Sequence, residues 1–206
     1  IRNLTIRDTF VEGDWDGKDQ DVDAIQMDTA KHVWIDHNIL TRGGDGLIDS
    51  RKDTTNLTVS WNILSDHNKA FGIGWTDNVI AEMTIHHNIF RDTGTRNPST
   101  DNVLHAHFYN NWLNNTGAYG NWARGGTNMV IENSVFENLK DAHYYDTGSL
   151  VARGNIYTNT TGQRESSGSS YSVFNPSDFY NYTLHEAGVV KDLLSECAGP
   201  RAELGQ

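Results

Sequence analysis

The chain has 206 residues, enough for one cored domain or one elongated repeat. Its 27 acids outnumber 16 scattered basic residues, and the net charge of −11 excludes a nucleic-acid partner, which needs clustered Lys and Arg. No apolar run approaches the roughly 18 residues of a membrane span, and the single cysteine, Cys197, excludes an internal disulfide.

The opening residues, "IRNLTIRDT", alternate Leu4 and Ile6 in a strand pattern with no charged leader or apolar signal core. The expectation is that further N-terminal coils, and a signal peptide, precede this stretch. Next comes "KDQDVDAIQM", which sets Asp19, Asp21 and Asp23 at alternate positions before a short apolar strand.

From there the chain repeats. The segments "VWIDHNIL", "LTVSWNIL", "MTIHHNIF", "HFYNNWL", "MVIENSVF" and "LVARGNIY" share a β-branched run, a polar pair and a bulky apolar residue. Aligning Asn38, Asn62, Asn88, Asn111, Ser134 and Asn155 gives separations of 24, 26, 23, 23 and 21 residues. This period, with little helical periodicity, predicts an all-β fold, a parallel β-helix of three short strands per coil. A leucine-rich repeat shares the period but lacks this direct strand-to-asparagine step. Equivalent residues of successive coils stack roughly 4.8 Å apart, so the asparagines form an amide ladder in one turn. After about residue 160 the repeat fades. "TTGQRESSGSSYS" reads as a polar linker, and a helix is expected from His185 to Ala198, covering an open end or flank of the stack. Residues 1–160 are thus read as the β-helix and 161–206 as its flanking or capping segment.

The period also brings distant charges together. Asp21 and Asp45 are 24 apart, Asp45 and Lys69 are 24 apart, and Lys69 and Arg96 are 27 apart, each about one coil. Asp23 and Asp49, 26 apart, join the same column. Four carboxylates at coil spacing repel unless protonated or neutralised by a cation, and an oxygen-only ligand set selects calcium or a similar hard ion. Taken singly these acids read as solvated turn and strand-edge groups; together they read as a site.

These segments resemble polysaccharide lyase family 1, the extracellular pectate lyases and their pectin lyase relatives. "HVWIDHN", "DGLIDSRKDTTNLTVSWN", "DHNKAFGIG", "HHNIFRDTGTRNP" and "MVIENSVFE" follow in the family's order, and the likeness covers most of residues 1–157. It implies a right-handed parallel β-helix. It also implies calcium ligands at Asp21, Asp23, Asp45 and Asp49, a substrate carboxylate on Lys69, and Arg96 as the base of a β-elimination. Arg124 in "GNWARGG" looks like a further substrate-binding arginine, or a solvated turn residue. A guanidinium ordinarily holds its proton, so the role of Arg96 rests on the resemblance; nearby calcium and Lys69 favour its neutral form.

One departure stands out. In "RNPSTD" an acid, Asp101, occupies the place where the family pattern carries a second arginine, which implies an altered subsite preference, an additional metal contact, weakened activity, or another arginine, such as Arg91 or Arg124, filling the gap. His37, His86, His87, His105 and His107 read as stacking residues, some pointing inward between coils, and not as a zinc site. Trp15, Trp75, Trp112 and Trp122 either stack on sugar rings or pack under loops. The resemblance implies a secreted, monomeric, calcium-dependent lyase acting on α-1,4-linked polygalacturonate. Two alternatives are a β-helix glycoside hydrolase and a catalytically lost β-helix that binds acidic polysaccharide.

Overall fold

The computed structural model describes residues 1–13, 19–167 and 173–205, so Trp15 and part of the polar linker lie outside the described residues. Nineteen short strands among the described residues form three parallel sheets. Sheet I contains β1 (Thr5–Arg7), β4 (Ile39–Thr41), β7 (Ile63–Lys69), β10 (Ile89–Thr95), β13 (Trp112–Asn114), β16 (Val135–Leu139) and β19 (Ile156–Thr160). Sheet II contains β2 (Ile25–Asp28), β5 (Ile48–Arg51), β8 (Phe71–Gly74), β11 (Ser99–Asp101), β14 (Tyr119–Arg124) and β17 (Asp141–Tyr145). Sheet III contains β3 (Lys31–Asp36), β6 (Thr55–Ser60), β9 (Ala81–His86), β12 (Val103–Tyr109), β15 (Asn128–Glu132) and β18 (Ser149–Arg153). Each strand pairs with the third one on in sequence, which is the topology of a parallel β-helix.

Strand alternation turns every second side chain into the coil, and the parallel register stacks like on like. Ile35, Val59, Ile85, Phe108 and Ile131 form one buried column; Leu40, Leu64, Phe90, Leu113 and Phe136 form another. Each such side chain contributes about 1.5–3 kcal/mol by leaving water. The fold therefore rests on repeated columns, with no single central layer.

The predicted ladder is present in the turn between sheets III and I. Asn38 Nδ2 donates to Asn62 Oδ1 (2.9 Å), Asn62 to Asn88 (3.0 Å) and Asn88 to Asn111 (3.0 Å). Beyond Asn111 the hydroxyl of Ser134 accepts from its backbone N–H at 3.1 Å, and Asn155 Oδ1 accepts from that of Ser134 at 2.8 Å. The residue before each ladder position is left-handed: His37, Trp61, His87, Asn110, Asn133 and Gly154 all have positive φ, from 42° to 69°. Side chains as bulky as Trp61 adopt this conformation at a cost of about 1–3 kcal/mol each, offset by the buried amide bonds that the turn makes possible. That column also places His37, Trp61 and His87 in a stack outside the coil, with ring centroids 5.8 and 4.3 Å apart, so these histidines do not point inward.

Strands end at Thr160, but pairing continues: Gly162, Glu165 and Ser167 donate to Lys140, His143 and Leu150, covering the edges of β17 and β18. The helix α1 (Ala187–Cys197) lies on the flank, where Val190 and Leu194 pack on Ile89 and Val135 with Trp61 and Trp112 alongside. It begins later than expected because the backbone of His185 is held extended by Asn110 and Asn133, which bond its N–H and C=O at 2.8–2.9 Å. No helix among the described residues is long and apolar enough to cross a membrane.

Candidate active site on sheet II

The outer face of sheet II and the turns entering it from sheet I carry the charged residues singled out by spacing. Asp21, Asp23 and Asp45 lie in the connections that enter β2 and β5, and Asp49 lies on β5. One carboxylate oxygen of each falls within 4.8 Å of the others. Lys69, at the end of β7, hydrogen-bonds Asp45, and Arg96, just before β11, brings Nη1 to 3.7 Å from Asp49 Oδ1. The six residues thus meet at one place.

The register corrects how they meet. Asp49 stands opposite Gln26, not Asp23, while Asp45 N–H bonds Val22 C=O and Ala24 N–H bonds Gly46 C=O. The acids converge because the turn folds Asp21 and Asp23 back toward β5, not because they occupy equivalent coil positions. Gln26 sits at the centre, donating from Nε2 to Asp21 Oδ2 (3.0 Å) and Asp23 Oδ2 (3.1 Å). Its 23-residue offset from Asp49 is the strand register itself, the signal that could have found it. Arg51 is the second residue missed by the spacing argument; it pairs with Asp21 at 2.5 Å and Asp28 at 2.8 Å.

Burial and mutual repulsion leave the inner acids short of countercharge. Burial pushes the carboxyl of Asp23 up to about 6, with Asp45 and Asp21 adding to the shift. Burial likewise pushes Asp49 up to about 7, reinforced by Asp23 and opposed by Arg96. Asp23 Oδ1 is buried without a hydrogen-bond partner among the described residues. A Cβ on Gly46 would come within 2.7 Å of that oxygen, so glycine keeps the space beside it open. Four converging hard oxygens, two of them undercompensated, fit a divalent cation of the calcium type.

Beside the acids runs a cleft of about 270 Å³ lined by Gly72, Trp75, Arg96, Ser99, Asp101 and Arg124. Gly72 forms its floor, since a Cβ there would come 2.6 Å from Asp49 Oδ1 and 3.0 Å from Arg96 Nη1. The guanidinium of Arg96 lies over the Trp75 ring, 5.4 Å from its centroid, and Nη1 is buried without a hydrogen-bond partner among the described residues. Asp101 is in direct register with Arg124. Of the two arginines considered for the gap left by Asp101, Arg124 therefore lies in this cleft, whereas Arg91 belongs to β10 of sheet I. Trp75 and Trp122 border the cleft region, while Trp112 packs beneath α1.

A second cleft lies between sheet III and residues 174–180. There His105 is wedged between Phe174 and Phe179, 4.6 Å from each ring, and pairs with Glu82 at 3.1 Å. Its histidines are thus engaged with neighbouring side chains.

The chain is thus a three-sheet parallel β-helix that carries a cation-suited acidic cluster and an arginine-lined cleft on one sheet. The chain belongs to the pectate lyase family, whose sequence model matches residues 1–202. It is 32% identical over 97% of its length to a pectate trisaccharide-lyase of Bacillus licheniformis, covering 59% of that protein. It is 29% identical over 97% of its length to pectate lyase B of Dickeya chrysanthemi, covering 60% of that protein. Among solved structures, a pectate lyase variant from Xanthomonas campestris superposes with a TM-score of 0.80 at 27% identity, over 100% of this chain and 70% of that one. A pectate lyase from Bacillus sp. N165 in complex with trigalacturonate superposes with a TM-score of 0.76 at 26% identity, over 97% and 66%. The chain spans about three fifths of the length of these curated relatives.

Proposed function

We propose that the protein cleaves de-esterified α-1,4-linked polygalacturonate by calcium-dependent β-elimination, leaving a 4,5-unsaturated end. The observation that carries this reading is the meeting of Lys69 and Arg96 with Asp21, Asp23, Asp45 and Asp49 beside one open cleft. The relative solved with trigalacturonate supports the substrate class.

Asp21, Asp23, Asp45 and Asp49 hold the calcium. When bound, the ion supplies positive charge that offsets the aspartates and draws in substrate carboxylates. Lys69 binds a uronate carboxylate, placing an ammonium where negative charge grows as the C5 proton leaves. Arg96 reaches over Gly72 into the cleft and, once its guanidinium has given up a proton to solvent, the neutral side chain takes the C5 proton, after which the 4-O leaving group departs. Trp75 fixes the plane of the Arg96 guanidinium from one side. Arg124 holds the substrate further along the sheet.

Hydrolysis is the weaker reading. A glycosidase needs two carboxyl groups flanking the scissile bond at about 5–9.5 Å, whereas these four carboxylates crowd within 4.8 Å on one side. A polymeric substrate that does not cross membranes accords with secretion.

The test is ultraviolet absorbance during incubation with polygalacturonate, with and without chelator. A calcium-dependent rise that Arg96→Ala abolishes is expected; no rise from a folded sample, or a rise that survives Arg96→Ala, would sink the assignment.

A further inference from the structure

The outer face of sheet II changes character along its length. At the end formed by β2 and β5 it carries the acid cluster, followed by Lys69 and Arg96. Beyond β8 the surplus of charge disappears. Asp101 and Arg124 face each other in register on β11 and β14, Oδ2 to Nη2 at 4.0 Å, so the carboxylate offsets the guanidinium. In the adjacent row Ser99 pairs with Trp122 and Trp122 with Tyr144. These two rings stack at 5.3 Å, and Tyr119 closes edge-on to them at 5.7 and 5.8 Å. Arg124 itself lies over Trp122 at 4.5 Å from the ring centroid.

We infer that the part of the cleft formed by β11, β14 and β17 takes an uncharged, methyl-esterified uronate unit, and that Asp101 selects against a free carboxylate there. The inference rests on the pectate lyase reading of the same site and extends its substrate to partly esterified polymer.

A free carboxylate approaching Arg124 meets Asp101 on the same guanidinium. Asp101 already offsets that guanidinium, so a second carboxylate arriving there meets like charge beside a cation that is already shared. A methyl ester carries no charge and avoids that repulsion. Its carbonyl oxygen accepts from the unpaired N–H groups of Arg124, which has five donors, and its methyl and ring C–H groups lie on Trp122 and Tyr144. One sugar spans close to one coil step, so a single chain laid along sheet II presents a free carboxylate to Lys69 and Arg96 and an ester further on.

Titration calorimetry in calcium buffer tests this, with every protein carrying Arg96→Ala so that neither oligomer is cleaved, using hexagalacturonate and its half-methyl-esterified counterpart. The protein with no further change is expected to bind the half-esterified form at least as tightly. Asp101→Arg, and the near-isosteric Asp101→Asn if the arginine variant does not fold, should shift the affinity ratio at least about fivefold toward the unesterified form, in line with the lost repulsion. Trp122→Ala should weaken binding of the esterified form more than the other. A protein with no further change that prefers the unesterified hexamer tenfold, or a ratio unmoved in the Asp101 variants, overturns the inference. The ultraviolet assay separates the two claims. Unsaturated product with an unmoved ratio overturns this inference alone, and a shifted ratio without product overturns the lyase reading alone.

Discussion

Gln26 stands directly opposite Asp49 on the neighbouring strand and ties Asp21 to Asp23 through one amide nitrogen, at 3.0 and 3.1 Å. A neutral side chain thus sets the spacing of two acids that would otherwise drift apart. Gln26→Ala is expected to weaken calcium binding by about tenfold, the usual cost of losing a group that orients a metal ligand. Calorimetric titration with calcium checks this, with circular dichroism confirming the fold.

Asp49 is the most deeply buried of the four acids, at 2% exposure. Its replacement by Asn keeps the shape and removes one member of a repelling cluster. Without calcium, Asp49→Asn should therefore be more stable by on the order of 1 kcal/mol in urea unfolding. Calcium should raise its melting temperature much less than that of the parent chain.

Asn88 is fully buried and occupies the middle of the ladder. Its amide donates to Asn111 Oδ1 and Val59 C=O, and its oxygen accepts from Asn62 Nδ2 and N–H. Asn88→Ala strips partners from several buried groups at once and should cost about 2–4 kcal/mol by urea unfolding. Asn88→Ser should cost less, because Ser134 already accepts from Asn111 N–H at the equivalent place.

Three buried histidines and the half-buried His86 set an acid limit. Burial lowers His86 to about 4, His87 to about 3, His143 to about 4, and His107 in the same direction. The unfolded chain takes up these protons near 6.5 while the folded chain does not, so stability is full above that value and falls below it. Each group contributes a slope of up to about 1.4 kcal/mol per pH unit. Asp23 and Asp49, raised by burial, act in the opposite sense and offset two of the four. Thermal denaturation from neutral pH down to about 4.5 should show a falling melting temperature, and His143→Phe should flatten the slope if packing is retained.

The coil period could be read directly because the ladder imposes it: an amide that must meet its equivalent one turn on tolerates little drift, and the asparagines mark the chain at each pass. The convergence of Asp21, Asp23, Asp45 and Asp49 was also legible, although offsets of about one coil pointed to it for the wrong reason: the turn before β2, not coil equivalence, brings the acids together. Register was not. The connections entering sheet II differ in length, so a 26-residue spacing looked like one coil for Asp23 and Asp49 although the true partner of Asp49 is Gln26, 23 residues away. Gln26 and Arg51 escaped notice for a related reason. A lone amide and a strand-exterior arginine acquire meaning only when the turn before β2 folds back over them. The start of α1 was overestimated because the side chains that hold His185 extended, Asn110 and Asn133, come from coils far away in sequence.

The asymmetry of the turns has a further consequence. Every connection from sheet III to sheet I, the ladder turn, is two residues long, from His37 and Asn38 to Gly154 and Asn155. The connections that lead into sheet II range from one residue, Ala70 before β8 and Lys140 before β17, through residues 42–47 before β5 to the still longer stretch between β1 and β2. One edge of the molecule therefore acts as a ruler of fixed gauge, and the opposite edge as free margin where sequence can be inserted or trimmed. In such an architecture, recognition can diversify by editing that margin while the ruler keeps every coil in step.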